Sequence, residues 1–162
     1  MKIPAAILTV SDSCHKGLRQ DASGPRLRVV LADAGFDVKS SRVVPDDIER
    51  IASALRELST DARFIVTTGG TGIAARDVTP EATRAVCERI IDGVAEVMRH
   101  AGMKHTPFAA LSRGVCASLG TSLVLNLPGN PAGAEQSLKT VLPLICHALD
   151  LLAGKTEHSE TH

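Results

Sequence analysis

The sequence has no tryptophan, no tyrosine and only three phenylalanines. Proteins that hold single-stranded nucleic acid stack bases on such rings, so that platform is missing. Charge of one sign is missing too. Eighteen Lys and Arg balance eighteen Asp and Glu, and the two signs are mixed along the chain. No basic footprint for nucleic acid or a membrane surface remains, which leaves a small molecule or another protein as partner. No apolar run reaches membrane-spanning length, and the opening stretch from Met1 to Ser13 turns polar too soon for a secretory signal. The expected location is the cytoplasm. Cys14, Cys87, Cys116 and Cys146 lie far apart with no C-x-x-C pair, and the six histidines show no ligand spacing. A zinc module is excluded, and the thiols read as reduced, small apolar residues. Neither a Ser-His nor a Cys-His nucleophile is visible.

What is present centres on Arg63 to Ala82, RFIVTTGGTGIAARDVTPEA. Phe64, Ile65 and Val66 read as a central strand covered on both faces. Gly69, Gly70 and Gly72 follow at once. Three glycines in four residues permit a sharp bend or the close approach of a ligand, and such a turn can aim several N–H groups at one anion. Thr79, Pro80 and Glu81 are expected to open a helix, with Thr79 as its cap. Between turn and helix, Arg76 and Asp77 supply a cation for phosphate and a carboxylate for a metal. The stretch is no P-loop, since no Gly-Lys-Ser/Thr follows, and the G-x-G-x-x-G spacing of dinucleotide folds is absent. A plain connecting turn is the competing account of the glycines. If solvent lines the turn, a side chain at Gly70 should block phosphate with little loss of fold.

Around this stretch the chain alternates. Ile3 to Val10 is a strand closed by Ser11, Asp12 and Ser13; Ser23-Gly24-Pro25 starts a helix that Gly35 stops. Asp37 to Val44 is a more polar strand, hence nearer an edge, and either Asp46 or Asp47 caps the following helix. Gly93 is expected to break the helical pattern before a short helix from Val94 to His100. Val115 to Leu119 and Ser122 to Leu127 read as a hairpin. Asn130 and Pro131 then cap and open a terminal helix adjusted at Pro143. This alternation predicts an α/β fold, three-layered, with a mostly parallel sheet and helices on both faces. One domain over residues 1–153 and a polar, disordered tail over 154–162 are expected. Ligands in such folds bind outside the carboxyl ends of the strands, which gathers Ser11 to Ser13, Asp46-Asp47 and Gly69 to Asp77 around one cleft.

Four motifs in order resemble the molybdopterin adenylyltransferases, a family that shares its fold with the gephyrin G domain and the small cofactor-biosynthesis B proteins. They are TTGGTGIAARDVTPEA (Thr67 to Ala82), LVLNLPGNPAGAEQSL (Leu123 to Leu138), TVSDS (Thr9 to Ser13) with SGP (Ser23 to Pro25), and VPDD (Val44 to Asp47). The resemblance implies Mg²⁺- and ATP-dependent adenylylation of molybdopterin, with pyrophosphate released and a metal-insertion enzyme acting downstream. It implies that Gly69, Gly70, Thr71 and Gly72 hold nucleotide, with Pro128, Gly129 and Asn130 closing that pocket. Asp77 and Asp46 become the catalytic acids, Asp77 serving the metal. Ser11, Asp12, Ser112 and Arg113 fall on the pterin side. A homotrimer, or trimers paired into a hexamer, is implied as well. The alternative is an oligomeric molybdopterin-binding module without turnover, and a tungsten pathway is a third reading.

Overall fold

The computed structural model describes residues 1–156; the histidines of the polar tail, His158 and His162, lie outside the described residues. Six strands form one sheet: β1 (Ile3–Val10), β2 (Phe36–Val44), β3 (Phe64–Thr68), β4 (Arg89–Ile90), β5 (Cys116–Leu119) and β6 (Ser122–Leu127). Their order is β2-β1-β3-β6-β5-β4. The first four in that order run parallel, while β5 and β4 close the sheet antiparallel. Between the strands lie α1 (Asp12–His15), α2 (Ser23–Asp33), α3 (Ile48–Leu58), α4 (Thr79–Val86), α5 (Asp92–Met103), a 3₁₀ turn (Pro107–Leu111) and α6 (Pro131–Leu152).

Strand alternation divides the core in two. Ala5 and Ile7 of β1, Phe64 and Val66 of β3, and Leu123 and Leu125 of β6 face α2, α5 and α6. Ala6, Leu8 and Val10, with Ile65 and Val124, face the apolar stripe of α3 (Ile51, Ala54, Leu55, Leu58) and Ala82 of α4. Helices therefore cover both faces, as the alternation predicts. β3 is buried along all five residues, as a central parallel strand must be. β2 forms the edge and carries a bulge: Ala5 pairs Val38 but Ala6 pairs Ser40, so Lys39 has no partner on β1.

Two expectations need correction, those for Thr79 and Gly93. Thr79 does not cap α4; it is the first helical residue, Val78 holds the cap position, and the Thr79 hydroxyl donates to Gly69 O at 2.9 Å instead. Gly93 does not break a helix but sits in the first turn of α5, which runs on to Met103. The two-residue strand β4 has no sequence signature; only its pairing with β5 defines it. Of the two candidate caps before α3, Asp47 is the one used, accepting from Arg50 N–H at 2.8 Å. α6 passes through Pro143 as one helix of 22 residues. Among the described residues, no helix is long and apolar enough to cross a membrane.

Candidate functional site

The parallel strands β1, β3 and β6 and the edge strand β2 all end on the side where the motif loops meet. β3 runs into the glycine turn. Gly69 and Gly70 have φ of +99° and +68°, where residues with a Cβ are strained. Space forbids side chains there as well. A Cβ on Gly69 would lie 2.3 Å from Val10 O, and one on Gly70 would lie 2.3 Å from Thr79 Oγ1 and 3.2 Å from Asp46 Oδ1. At Gly72 it would meet Asp77 Oδ2 at 2.8 Å. The turn is thus lined by the protein, and the expectation that Gly70 tolerates a side chain does not hold. Two of its glycines make room for the carboxylates of Asp46 and Asp77.

A buried polar network holds the turn from beneath. Asn126 of β6 donates to Thr67 Oγ1 at 3.1 Å and to Thr83 Oγ1 at 3.0 Å, and accepts from Val115 N–H. Thr83 donates to Thr79 O, and Thr79 to Gly69 O. All four side chains are buried and all are satisfied, so the network rigidifies the turn without an orphaned group. Arg113 grips it from the side. Its Nε donates to Gly72 O and Nη2 to Asp77 O, each at 2.8 Å, and Nη1 pairs with Glu81. Every nitrogen of that guanidinium has a protein partner. Among the described residues, no hydrogen bond engages the N–H groups of Gly70, Thr71 or Gly72.

The second turn follows β6. Asn130 caps α6 by accepting from Gly133 N–H at 2.9 Å, and Pro131 opens the helix. The two turns touch: a Cβ on Gly129 would lie 3.3 Å from Gly69 Cα. Thr68 Oγ1 adds a bond to Pro128 O at 2.8 Å.

Beside the glycine turn, Asp46 and Asp12 clasp each other. Asp12 N–H donates to Asp46 Oδ2 at 2.9 Å and Asp46 N–H donates to Asp12 Oδ1 at 3.0 Å. Arg76 pairs with Asp12, not with its neighbour Asp77. Asp77 instead accepts from Ala74 N–H at 3.0 Å. Burial pushes the Asp46 carboxyl above the usual range, and the nearby charges of Asp12 and Asp77 push the same way. The Asp46 N–H and then Arg76 hold the Asp12 carboxyl below it.

Two clefts flank the joined turns. The larger, about 650 Å³, is walled by Met98, Phe108, Leu111 and Pro128, with Thr71, Gly72, Ser112 and Asn130 supplying polar atoms. The smaller, about 380 Å³, is lined by Thr9, Ser11, Asp21, Thr68, Gly69 and Gly129. Ser11 and Ser112 therefore line different clefts. Cys14 also borders the smaller one. Burial pushes the Cys87 and Cys116 thiols up to about 12, so both stay protonated at neutral pH.

Sequence reading missed three contributors. Asp21 joins the ends of β1 and α2, accepting from Thr9 Oγ1 at 2.7 Å and from Gly24 N–H at 3.0 Å; its place three residues before Gly24 is a capping signal. Arg99 holds the 112–114 segment through Ser112 O and Gly114 O. Asn126, polar within the run SLVLNL, was the visible sign of the buried network.

Among the described residues, no three His, Cys, Asp or Glu side chains converge as a cage for a metal. Magnesium carried on a nucleotide needs only one or two carboxylates beyond the phosphate oxygens, and Asp46 and Asp77 against one turn fit that requirement.

A cleft at the carboxyl ends of parallel strands, with a glycine turn and facing carboxylates, defines an α/β protein with its loops gathered where such sheets hold their ligands. The chain belongs to the family described as a probable molybdopterin binding domain, whose model matches residues 6–147. It is 36% identical over 156 residues to the molybdopterin adenylyltransferase of Helicobacter pylori strain J99, covering 94% of this chain and 89% of the relative. It is 38% identical over 153 residues to the molybdenum cofactor synthesis protein cinnamon of Drosophila melanogaster, covering 93% of this chain but only 26% of that longer protein. Among solved structures, the molybdopterin biosynthesis enzyme MoaB of Thermus thermophilus superposes with a TM-score of 0.89 at 48% identity, over 94% of this chain and 98% of that one.

Proposed function

We propose that this chain is a molybdopterin adenylyltransferase of molybdenum cofactor biosynthesis, using Mg²⁺-ATP. An oxygen of the pterin's terminal phosphate bonds to the α-phosphorus of ATP as the bond to the bridging oxygen breaks, and pyrophosphate leaves with that electron pair. The observation that carries this reading is the pair of carboxylates, Asp46 and Asp77, held against a turn whose successive N–H groups have no acceptor among the described residues. Nucleotidyl transfer needs charge neutralisation and in-line positioning more than a covalent nucleophile, and these are the groups that supply it.

In this reading the N–H groups of Gly70, Thr71 and Gly72 hold phosphate oxygens, and Pro128, Gly129 and Asn130 close the pocket. Asp77, with Asp46 as second acid, holds Mg²⁺, which neutralises the triphosphate. The larger, apolar cleft with Ser112 takes the pterin. The smaller cleft, with Ser11 and Gly69, is left for the nucleoside part of ATP, whose phosphates then reach the glycine turn where Thr71 and Gly72 border the larger cleft. Arg113 serves by fixing the turn, since each of its three nitrogens already donates to that turn or to Glu81.

Residues 1–153 act as one binding unit in the cytoplasm, and the product passes to a metal-insertion enzyme. Leu144 and Leu151 of α6 are 44% and 45% exposed, and Phe108 is 75% exposed. Exposed apolar side chains of this size favour an assembly that would cover them, which supports a homotrimer, or a hexamer of paired trimers. Light scattering at micromolar concentration tests this, and a monomeric mass refutes it. For the chemistry, the test is pyrophosphate release from Mg²⁺-ATP with and without molybdopterin. Tight pterin binding with no pterin-dependent release would instead identify a binding module without turnover.

A further inference from the structure

We infer that Asp12 is a positioning residue for Asp46 and not a contact for the pterin; the inference rests on the adenylyltransferase reading. The end of β1 and the end of β2 are in register: Val10 pairs Val44, and two residues further on Asp12 meets Asp46. There the backbone N–H of each aspartate donates to the carboxylate of the other. Asp46 Oδ2 is consumed by this clasp. Its Oδ1 is the atom that lies toward the glycine turn, 3.2 Å from where a Cβ of Gly70 would stand. The backbone N–H of residue 12 thereby decides which oxygen of Asp46 faces the reacting groups, and the Asp12 carboxylate, by accepting from the Asp46 N–H, holds the Asp46 backbone where that bond can form.

The Asp12 carboxylate divides its work between two oxygens. Oδ1 accepts from Asp46 N–H, while Oδ2 takes Arg76 Nε at 2.8 Å and Nη2 at 2.7 Å. Magnitudes separate the two jobs. The Arg76 side chain is 68% exposed, and an ion pair so open to water contributes little. The clasp is shielded on the Asp46 side, and a catalytic group displaced by about 1 Å loses on the order of 10²-fold in rate. The acceptor at Oδ1 therefore matters more than the negative charge.

Asn and Ala at position 12 separate acceptor from charge. Asp12→Ala removes the acceptor, and kcat should fall by on the order of 10²-fold with KM for ATP and affinity for molybdopterin unchanged. Asp12→Asn keeps an oxygen for the Asp46 N–H and should recover all but a few-fold of that loss. Amide hydrogen exchange on the free protein gives a readout without turnover: the Asp46 N–H should exchange faster in Asp12→Ala and as in wild type in Asp12→Asn. Should Asp12→Ala not fold, Asp12→Ser serves in its place, its hydroxyl stopping a bond short of the Asp46 N–H. Weakened molybdopterin binding in both variants would overturn the proposal in favour of direct contact, and equal kcat losses in Asn and Ala would overturn it in favour of a role for charge. If wild type releases no pyrophosphate, the adenylyltransferase reading falls by itself. Exchange then decides alone whether Asp12 holds Asp46, and equal rates in all three proteins overturn it.

Discussion

The glycine turn after β3 and the proline turn after β6 have the same sequence grammar, a buried strand, a glycine-bearing bend and a helix with proline in its first turn, yet they are built differently. The first needs glycine for its own backbone at 69 and 70, and it is fastened from beneath by Thr79 and from the side by Arg113. The second has no residue with positive φ; its Asn130 caps α6, and Gly129 is small because Gly69 of the other turn lies against it. Carboxylates press only on the first. A glycine in a binding motif can thus answer to strain, to a neighbouring side chain or to another loop, and only contacts tell these apart.

The largest effect expected is on stability at the first turn. Gly70→Val combines a strained φ with a collision at Thr79 Oγ1, each worth about 1–3 kcal/mol. Gly129→Ala asks Gly69 to yield by a few tenths of an ångström and should cost about 1 kcal/mol or less. Urea denaturation of the two variants side by side breaks the comparison if the losses are equal. Next comes chemistry. Asp77→Asn keeps size but removes charge and should slow pterin-dependent pyrophosphate release by roughly 10²–10³, about 3–4 kcal/mol, with oligomer and pterin binding intact. Wild-type turnover in that variant would leave the first turn without its metal ligand. At the second turn the effect on stability is smaller. Asn130→Ala loses a helix cap, about 1 kcal/mol, and should lower Tm by roughly 2–4 °C.

Smallest of all is a difference of sign between the facing aspartates. The folded-state pKa of Asp46 is raised, so its contribution to stability is fully present below the unfolded value and is lost as pH climbs through the folded one. Asp46→Asn should therefore melt above wild type at neutral pH, with the gap closing in acid. For Asp12 the folded pKa is lowered, so stability is present above the unfolded value and lost as pH falls through the folded one. Asp12→Asn should melt below wild type at neutral pH, again with a gap that closes in acid. Melting curves from pH 3 to 7 that show one sign for both substitutions would contradict the contrast.

Much of this architecture is legible in the sequence because burial leaves a periodic trace. The apolar runs of β1, β3 and β6, the stripe of α3 and the hairpin of β5 and β6 all lie where the pattern predicts. Relations between distant residues leave no such trace. Asp46 and Asp47 have the same capping chemistry, and only the register of β2 on β1 sends Asp47 to the helix and Asp46 to the mouth. Thr79 has every local attribute of a cap, but a carbonyl ten residues earlier competes for its hydroxyl. Arg76 stands beside Asp77 in the chain and reaches Asp12 across the fold. β4 is held by two pairings, too few to print a pattern.

Lys39, the unpaired residue of β2, works as a slack link. Before it, Phe36 and Val38 turn toward the layer of α2; beyond it, Val44 turns toward the layer of α3, so one extra residue exchanges the inner and outer faces of the edge strand midway. The beginning of that strand can then be tuned to one core while its end stays locked to β1. The lock is what brings Asp46 level with Asp12. A looped-out lysine, with an exposed pairing to Asp37, thus lets the edge of the sheet change length without moving the mouth.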